Sequence, residues 1–385
     1  MLKSEFPVRK IREGSTSLFV PNVEFPPGAS VFFNPKMEFD RDLGVLILNS
    51  IEKMKDLYIC EPLTGCGARG IRYANELKNV NECVINDVNP EASKLAEKNV
   101  RLNKLQEKVS VYNLDANFLI LKLLHENERK FNVIDLDPSG SPIYYVNSVA
   151  RAIKNNGLVA FTATDTAPLA GINPLTCLRR YGIESYKTDF FKELGLRILI
   201  TSAVLSFSKW SFFLKSLLSY ASEHYLRVFA SVKKGKSIAS KTIKENLGYV
   251  NYCPECLWRS VDVNPITECE FCEKKTKIIG RVWVGQIEDL GFIRFCEEEL
   301  SRIGWLKTGN RIKKLLHLLK NEPFPFYYDV HKVCQKHGLR IPNFKILQEK
   351  LRENGYKAER THFSNVGIKT DAPLKDLIKV ISGCY

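Results

Sequence analysis

The sequence lacks a long apolar segment and a recognisable targeting signal. Its longest apolar stretch, residues 198–208, ends at Lys209 and is shorter than the roughly 20 residues that a membrane-spanning helix needs. Residues 1–7 contain no continuous apolar core of the kind found in secretory signals. We therefore expect no transmembrane helix, and a cytoplasmic protein.

Histidine is also scarce, and the cysteines do not suggest a disulfide framework. The six histidines show neither metal-ligand nor catalytic-triad spacing. Eleven cysteines in a chain of 385 residues are atypical of the short secreted domains that disulfides stabilise. With 44% hydrophobic and 26% charged residues, the composition excludes a disordered or fibrous chain, and the length suggests two or three domains.

Positive charge is abundant and unevenly distributed. The formal net charge is +14, and residues 301–385 contribute most of it, with 17 basic and 7 acidic residues. A clustered charge of this size favours binding to nucleic acid, whose counterions are released when cations approach the phosphates. The alternative is a solvated surface that is merely rich in lysine.

Hydrophobic periodicity predicts an α/β fold. Short apolar runs alternate with amphipathic stretches such as residues 91–105, which is typical of a parallel sheet with crossover helices. The first 30 residues indicate a small antiparallel or irregular lead-in. The apolar runs that we assign to strands are residues 57–60, 83–86, 109–112, 132–136 and 158–162.

The second half of the chain begins with a long apolar and aromatic region. Residues 190–220 are most simply a pair of core helices, and residues 224–232 alternate like a strand. A basic run and a cysteine-rich insert follow, so we place a domain boundary near residue 240, dividing the chain into 1–240 and 241–385. Helical patterns at 304–319 and 344–353 make the second part a basic α+β domain.

A glycine-rich turn follows the first predicted strand of the sheet. Gly65, Gly67 and Gly70 match the fingerprint of nucleotide-binding sheets, in which glycine lets the backbone approach a cofactor closely. The same spacing occurs in NAD enzymes and by chance in surface loops. Glu61, four residues before Gly65, suits a cofactor with an ammonium group better than a pyrophosphate, and so favours S-adenosylmethionine over NAD.

Two acids at the next strand ends complete an adenosine-shaped pocket. Asp87 is placed to accept both ribose hydroxyls, and Asp115 to accept the exocyclic amine of adenine. The alternative for either acid alone is helix N-capping, which requires no ligand. Together with the glycines, the two acids favour the ligand interpretation.

The fourth strand runs into Asp137-Pro138, where a sheet enzyme places its chemistry. An exocyclic base amine is a poor nucleophile because its lone pair is delocalised into the ring. A carboxylate that accepts its N–H localises that pair and takes the proton. We interpret Asp137 as this catalytic group and the Pro138 carbonyl as a second acceptor; the alternative is an ordinary Asp-Pro turn.

Four cysteines have the spacing of a metal site. Cys253, Cys256, Cys269 and Cys272 form C-x2-C-x12-C-x2-C, two thiolate pairs that can close a tetrahedral zinc site. Four sulfur ligands leave no position open for water, so the ion would be structural. A redox pair or coincidental spacing is the alternative.

Several segments, in order along nearly the whole chain, resemble the tRNA (guanine-N2) dimethyltransferases that act at position 26. The most specific are the Thr-Ala-Thr-Asp sequence that begins at Thr162 and the Arg-Thr-His-Phe-Ser sequence that begins at Arg360. The resemblance implies a Rossmann-like class I methyltransferase domain, followed by a C-terminal domain particular to the family. The matching segments are residues 31–35, 41–42, 65–70, 135–138, 162–169 and 360–373.

The resemblance also implies roles for single residues. Arg41 and Arg69 would bind the methionine end of S-adenosylmethionine, which suits a guanidinium that clamps a carboxylate. Asp137 would contact the guanine amine, and Phe32 would stack on the flipped base. The residues implied for the nucleoside part of the donor are Asp87 for the ribose, and Asp115 and Ala116 for the adenine.

The sequence departs from the family at one position. Ser139 replaces the phenylalanine of the usual Asp-Pro-Phe-Gly, so one aromatic wall of the guanine pocket is missing. Either Phe32 serves alone, or Phe33, Tyr144 or Tyr145 replaces the wall, or the target preference differs.

The favoured function is dimethylation of the N2 amine of guanosine 26 in tRNA, with tRNA as partner. The rivals are an adenine-N6 or ribosomal guanine-N2 methyltransferase, a non-catalytic zinc-ribbon RNA-binding protein, and an NAD oxidoreductase. The NAD oxidoreductase lacks an evident hydride-transfer acid or base beside the glycine fingerprint.

Overall fold

The computed structural model of the protein describes residues 6–22, 31–51, 55–322 and 324–385. The chain begins with an antiparallel hairpin of β1 (Val8–Glu13) and β2 (Thr16–Pro21). This hairpin confirms the antiparallel lead-in for the residues that are described. The predicted lead-in and the predicted absence of a targeting signal also involve residues 1–5 and 23–30. These residues lie outside the described ranges.

A seven-stranded sheet forms the centre of the molecule, in the order β5-β4-β3-β6-β7-β9-β8. Neighbouring strands from β5 to β7 are parallel, while β9 runs antiparallel to both β7 and β8. This order confirms the Rossmann-like α/β fold and all five predicted strands. The strands are β3 (Leu57–Glu61), β4 (Val80–Asn86), β5 (Val109–Tyr112), β6 (Phe131–Leu136), β7 (Ile153–Ala163), β8 (Phe212–Ser222) and β9 (Tyr225–Lys234).

Helices cover both faces of this sheet. Cys60 and Ile134 belong to one apolar core with α4, α5 and α8, whereas Ile59 and Val133 belong to the other with α1, α2 and α3. No helix in the described ranges combines the length and apolarity that crossing a membrane requires. The helices are α1 (Glu38–Asn49), α2 (Ala68–Glu76), α3 (Pro90–Leu102), α4 (Ala116–Asn127), α5 (Val146–Ala152), α6 (Thr166–Leu169), α7 (Pro174–Tyr181) and α8 (Phe191–Ser208).

The prediction of two core helices over residues 190–220 was wrong in its second half. The first half forms α8, but residues 212–222 form strand β8, which pairs with β9 along its length. Most residues of β8 are buried, and a bulge between Ser216 and Leu218 interrupts the two-residue alternation. A buried strand without alternation has the same hydrophobic pattern as a buried helix.

The C-terminal part contains two small sheets, in the orders β11-β10-β12 and β13-β15-β14. Helices α10 and α11 pack on α1 of the first part, and the division near residue 240 stays a prediction. The predicted helix at 344–353 is confirmed, and that at 304–319 begins later. The elements are α9 (Lys236–Asn246), β10 (Leu247–Tyr252), β11 (Arg259–Asp262), β12 (Lys277–Trp283), α10 (Leu290–Arg302), α11 (Gly309–Asn321), β13 (Tyr328–Asp329), α12 (Val330–His337), α13 (Phe344–Glu353), β14 (Ala358–Arg360), β15 (Gly367–Thr370) and α14 (Leu374–Ser382).

A buried cluster of charged side chains joins the two parts. Nζ of Lys369 on β15 lies 3.2 Å from Oε1 of Glu193 on α8 and 2.8 Å from Oε2 of Glu322. Glu322 also accepts hydrogen bonds of 2.6 Å from both the backbone N–H and Nδ1 of His362. His362 belongs to the Arg-Thr-His-Phe-Ser segment, so this segment contributes to the contact between the two parts.

Replacing Lys369 with methionine is expected to destabilise the protein by about 3–5 kcal/mol, because two buried carboxylates lose a shared counter-charge. Denaturant titration of the variant measures this loss. The matched control is Lys345→Met, which breaks an exposed pair with Glu349 and should cost less than about 1 kcal/mol. Equal stabilities of the two variants would contradict the role of the buried cluster.

Candidate active site

A cavity of about 280 Å³ opens at the carboxyl ends of β3, β4 and β6. Because β6 lies next to β3 on the side away from β4, the cavity is at the point where the strand order reverses. Open α/β sheets bind their ligands at this point. The predicted site residues that line the cavity are Phe32, Arg41, Arg69, Asp87 and Asp137.

The glycine-rich loop between β3 and α2 lines one side of this cavity. Gly65 and Gly67 adopt left-handed conformations, with φ of 56° and 82°, which glycine tolerates better than other residues. A Cβ atom on Gly65 would lie only 3.1 Å from the carbonyl oxygen of Phe32. Glycine at this position therefore keeps the space between the loop and Phe32 open.

The acids at the ends of β4 and β5 have different local roles. Asp87 accepts hydrogen bonds from the backbone N–H groups of Gly65 (2.8 Å) and Asn89 (2.9 Å), so it fixes the glycine loop. Asp115 caps α4 by accepting from the N–H of Phe118 at 2.9 Å. Asp115 and the buried Ala116 are not among the residues that line the cavity. Their roles at the ribose and adenine stay predictions.

Glu61 lies at the end of β3, buried beside the loop. Its Oε2 accepts hydrogen bonds from the N–H of Gly70, at 2.8 Å, and from the hydroxyl of Thr64. Burial raises the pKa of Glu61 to about 8, although the guanidinium of Arg69 opposes this shift. The carboxyl group is therefore largely protonated at neutral pH.

Arg69 connects Asp137 to the interior of the protein. Its Nη2 donates to Oδ2 of Asp40 at 2.6 Å and to Oδ2 of Asp137 at 2.5 Å. The Nε atom of Arg69 faces Oε1 of Glu61 at 3.6 Å and Oδ2 of Asp135 at 3.9 Å, whereas Nη1 is buried and makes no hydrogen bond within the described residues. Arg69 thus fixes the predicted catalytic carboxylate and retains Nη1 as an unused donor.

A buried network that the sequence analysis missed supports this pair. Arg227 on β9 donates two hydrogen bonds, of 2.8 and 2.7 Å, to the carboxylate of Asp135, which also accepts from Tyr73 at 2.8 Å. Burial alone would raise the pKa of Asp40, but Arg227 and Arg69 lower it to about 2. The available sequence signal was an acid, Asp135, between the apolar residues Ile134 and Leu136 of a strand.

The turn after β6 is fixed by the segment that follows β7. Oγ1 of Thr164 accepts from the N–H of Gly140 at 2.7 Å, and the N–H of Thr164 donates to the Gly140 carbonyl at 2.9 Å. The Pro138 carbonyl also accepts from the N–H of Gly140, at 3.0 Å. The Thr-Ala-Thr-Asp segment therefore positions the turn that carries Asp137.

Several aromatic residues line the cavity together with Ser139. Phe32, which is 53% exposed, Phe33 and Tyr145 line the cavity together with Ser139. Tyr144 is 59% exposed and does not line it. Among the residues considered for the missing wall, Phe33 and Tyr145 are thus placed at the cavity.

Arg41 is bound mainly by the protein itself. Its Nε and Nη2 atoms each donate to the carboxylate of Glu13 at 2.6 Å, and its guanidinium lies 5.0 Å from the ring centroid of Phe33. Both Arg41 and Glu13 are buried. Glu13 thus occupies the side of the guanidinium that presents Nε and Nη2. The role of Arg41 at the donor's methionine end stays a prediction.

The four predicted cysteines come together at one end of the β10–β12 sheet. All four Sγ atoms lie within 4.8 Å of one another, and the pairs Cys253–Cys272 and Cys256–Cys269 are each 3.5 Å apart. Sulfur atoms bound at about 2.3 Å to a shared tetrahedral ion require separations of this order. The cluster therefore has the composition and spacing of a metal site.

Comparison with known proteins agrees with this geometry. The profile of the family described as N2,N2-dimethylguanosine tRNA methyltransferase matches residues 12–382. A protein of Methanococcus maripaludis named tRNA (guanine(26)-N(2))-dimethyltransferase is 38% identical, with 97% of each chain covered. A protein of the same name from Methanobrevibacter smithii is 34% identical, with 98% of each chain covered.

A solved structure supports the same assignment. It is the complex of Trm1 from Pyrococcus horikoshii with S-adenosyl-L-methionine, which is similar to this chain with a TM-score of 0.86 at 30% identity. The similarity covers 97% of this chain and 99% of that one. These matches confirm the resemblance noted from the sequence: the chain belongs to the N2,N2-dimethylguanosine tRNA methyltransferase family.

Proposed function

We propose that the protein transfers methyl groups from S-adenosylmethionine to the exocyclic N2 amine of guanosine 26 in tRNA, twice in succession. The observation that carries this function is the convergence of Asp137, the Gly65 loop and the Phe32 ring in one cavity. Family membership favours it over adenine-N6 and ribosomal RNA targets, and over a protein without catalysis.

The residues of the cavity fit S-adenosylmethionine. The unused Nη1 donor of Arg69 suits the carboxylate of the methionine end, and Gly65 leaves room for close approach of a ligand to the backbone. We assign the ribose to Asp87, the adenine to Asp115 and Ala116, and a second methionine contact to Arg41. S-adenosylmethionine supplies an electrophilic methyl group on a sulfonium.

The acceptor base must leave the RNA stack to reach Asp137, because N2 is enclosed within a stacked helix. Phe32 has an exposed ring at the cavity, and stacking of a base on an aromatic ring is worth about 1–3 kcal/mol. We assign Phe32 to this stacking contact. Phe33 and Tyr145 are the candidates for the second wall.

Asp137 is positioned to activate the amine. Arg69 binds its Oδ2, and no described residue donates a hydrogen bond to its Oδ1. An amine N–H donating to Oδ1 keeps its lone pair localised on nitrogen while the new N–C bond forms, and the carboxylate then accepts the displaced proton. Pro138 lines the same cavity, and we assign its carbonyl, which also accepts from the N–H of Gly140, as the second acceptor.

The basic C-terminal part is proposed to bind the tRNA backbone. Residues 301–385 contribute +10 of the net charge, and α11 exposes several cations, including Lys313 and Lys314, that form no ion pair with described residues. Cationic side chains of this kind bind phosphates without regard to sequence. The proposed zinc ion at Cys253, Cys256, Cys269 and Cys272 would stabilise this part.

Replacing Asp137 with asparagine is expected to lower methyl transfer by about 10²-fold or more, because the amide cannot accept the proton. Mass spectrometry of a tRNA transcript measures dimethylguanosine, and calorimetry measures donor binding, which should persist. Asp56→Asn is the control, since Asp56 is exposed at the amino end of β3, away from the carboxyl ends of the strands where the cavity lies. Near-normal turnover of the Asp137 variant would remove its assigned role.

The advantage in donor affinity of the wild-type protein over the Glu61→Gln variant is expected to be largest near pH 8. Below this value burial keeps Glu61 neutral, and above it the donor loses the proton of its own ammonium group, since an α-amine has a pKa of about 8. Calorimetric titration of S-adenosylmethionine at several pH values measures the effect. The ligand titrates in the same way with both proteins, so a difference between their pH profiles reports Glu61. An identical pH profile of donor affinity in both proteins would contradict this contact.

Purified protein is expected to contain about one zinc ion per chain, as four thiolates close one tetrahedral site. Elemental analysis should show loss of zinc in the Cys253→Ser variant. Cys384→Ser, which changes a partly buried thiol outside the cluster, should retain the ion. Wild-type protein without metal would contradict the zinc assignment.

A further inference from the structure

A second, smaller cavity adjoins the first one. It has a volume of about 160 Å³, and Phe32, Asn34 and Met37 line both cavities. The two spaces therefore meet at the ring that we assign to stacking on the target base. The residues that line the second cavity but not the first are Lys36, Thr164, Ser222, Glu223, His224, Tyr225 and Arg311.

Three distant parts of the chain form this second cavity. Lys36 lies in the short 3-10 helix Pro35–Met37, and Ser222 ends β8 at the hairpin to β9. Arg311 lies in the first turn of α11, which belongs to the C-terminal part. The cavity is thus the place where the basic C-terminal part reaches the mouth of the catalytic cavity.

The two cations of this cavity lack carboxylate partners. In the described ranges, no carboxylate oxygen lies within 4.0 Å of the charged nitrogens of Arg311 or Lys36, although Arg41, Arg69 and Arg227 are all ion-paired. Glu223 is the acid that lines the same cavity, and it forms no ion pair there. Two positive charges therefore face this space against one negative charge.

Arg311 is also oriented in advance. Its guanidinium lies 4.1 Å from the ring centroid of Phe39, and Nη2 donates to Oγ of Ser222 at 2.8 Å. These contacts restrict the side chain without neutralising it. A fixed guanidinium with free donors matches the oxygen geometry of a phosphodiester better than a flexible ammonium does.

We propose that Arg311 and Lys36 bind a phosphodiester that flanks the target guanosine. A base that enters the first cavity remains attached to its ribose and phosphates, and the second cavity begins at the same Phe32 ring. The contact fixes the backbone next to the flipped nucleotide. This inference rests on the proposed function and deepens it, because it names a substrate contact.

The test combines Arg311→Gln and Lys36→Gln with synthetic tRNA that carries an uncharged methylphosphonate on one side of the target guanosine. With ordinary tRNA, each variant should bind about tenfold more weakly and lower the salt dependence by about one ion, as expected for loss of one phosphate contact. The methylphosphonate on the contacted side should weaken wild-type binding similarly. Its effect should be smaller in each single variant and nearly absent in the double variant Arg311→Gln, Lys36→Gln.

The control variant is Arg9→Gln, which removes an exposed arginine that lines neither cavity. It should leave the methylphosphonate effect at its wild-type size. The proposed contact is overturned if Arg311→Gln and the methylphosphonate weaken tRNA binding additively, whichever side of the guanosine carries the methylphosphonate. This conclusion requires that the wild-type protein methylates the tRNA. Failure of wild-type protein to methylate guanosine 26 would instead contradict the proposed function.

Discussion

The buried guanidinium of Arg69 determines where the carboxylate of Asp137, the proposed catalytic group, lies. It donates to Asp40 on α1 and to Asp137 after β6, so one side chain of α2 connects two elements across the cavity. Buried charges are tolerated only when they are paired and hydrogen-bonded. Arg227 supplies the second positive charge by binding Asp135 and approaching Asp40. The charge balance of the interior and the position of Asp137 thus depend on one network.

The sheet and the ends of its strands could be predicted because both depend on local sequence. Apolar runs identify the strands, and parallel strands bring their carboxyl ends to one edge, which placed Asp87 and Asp137 at the same cavity. The cysteine spacing predicted the four-sulfur cluster for the same reason, since each pair lies within one turn. These features needed no knowledge of long-range packing.

The charged network could not be predicted, because its members come from distant parts of the chain. Arg227 lies 92 residues from Asp135, and Asp40 lies on a helix whose hydrophobic pattern indicates nothing about its partner. The same limitation affects Arg41, which the resemblance alone assigns to a ligand. In the fold, Glu13 of the N-terminal hairpin binds it in a bidentate manner.

The sequence alone could not show which aromatic residues lie at the cavity where Ser139 replaces the usual phenylalanine. Tyr144 and Tyr145 are adjacent in the chain, yet only Tyr145 lines the cavity with Phe33. Ser139 and Asp137 line this same cavity. The candidates for the missing wall thus come from two other segments of the chain.

The N-terminal and C-terminal parts share one apolar core, which constrains how they act together. Apolar residues of α10 and α11 belong to the same core as those of α1, and Oγ1 of Thr308 donates to Asp42 at 2.7 Å. Helix α1 also carries Asp40, which binds Arg69. The helix that helps to position the proposed catalytic carboxylate is therefore covered by the part that carries Arg311. Removal of the residues after 240 would therefore expose α1 to water and weaken the support of the first part.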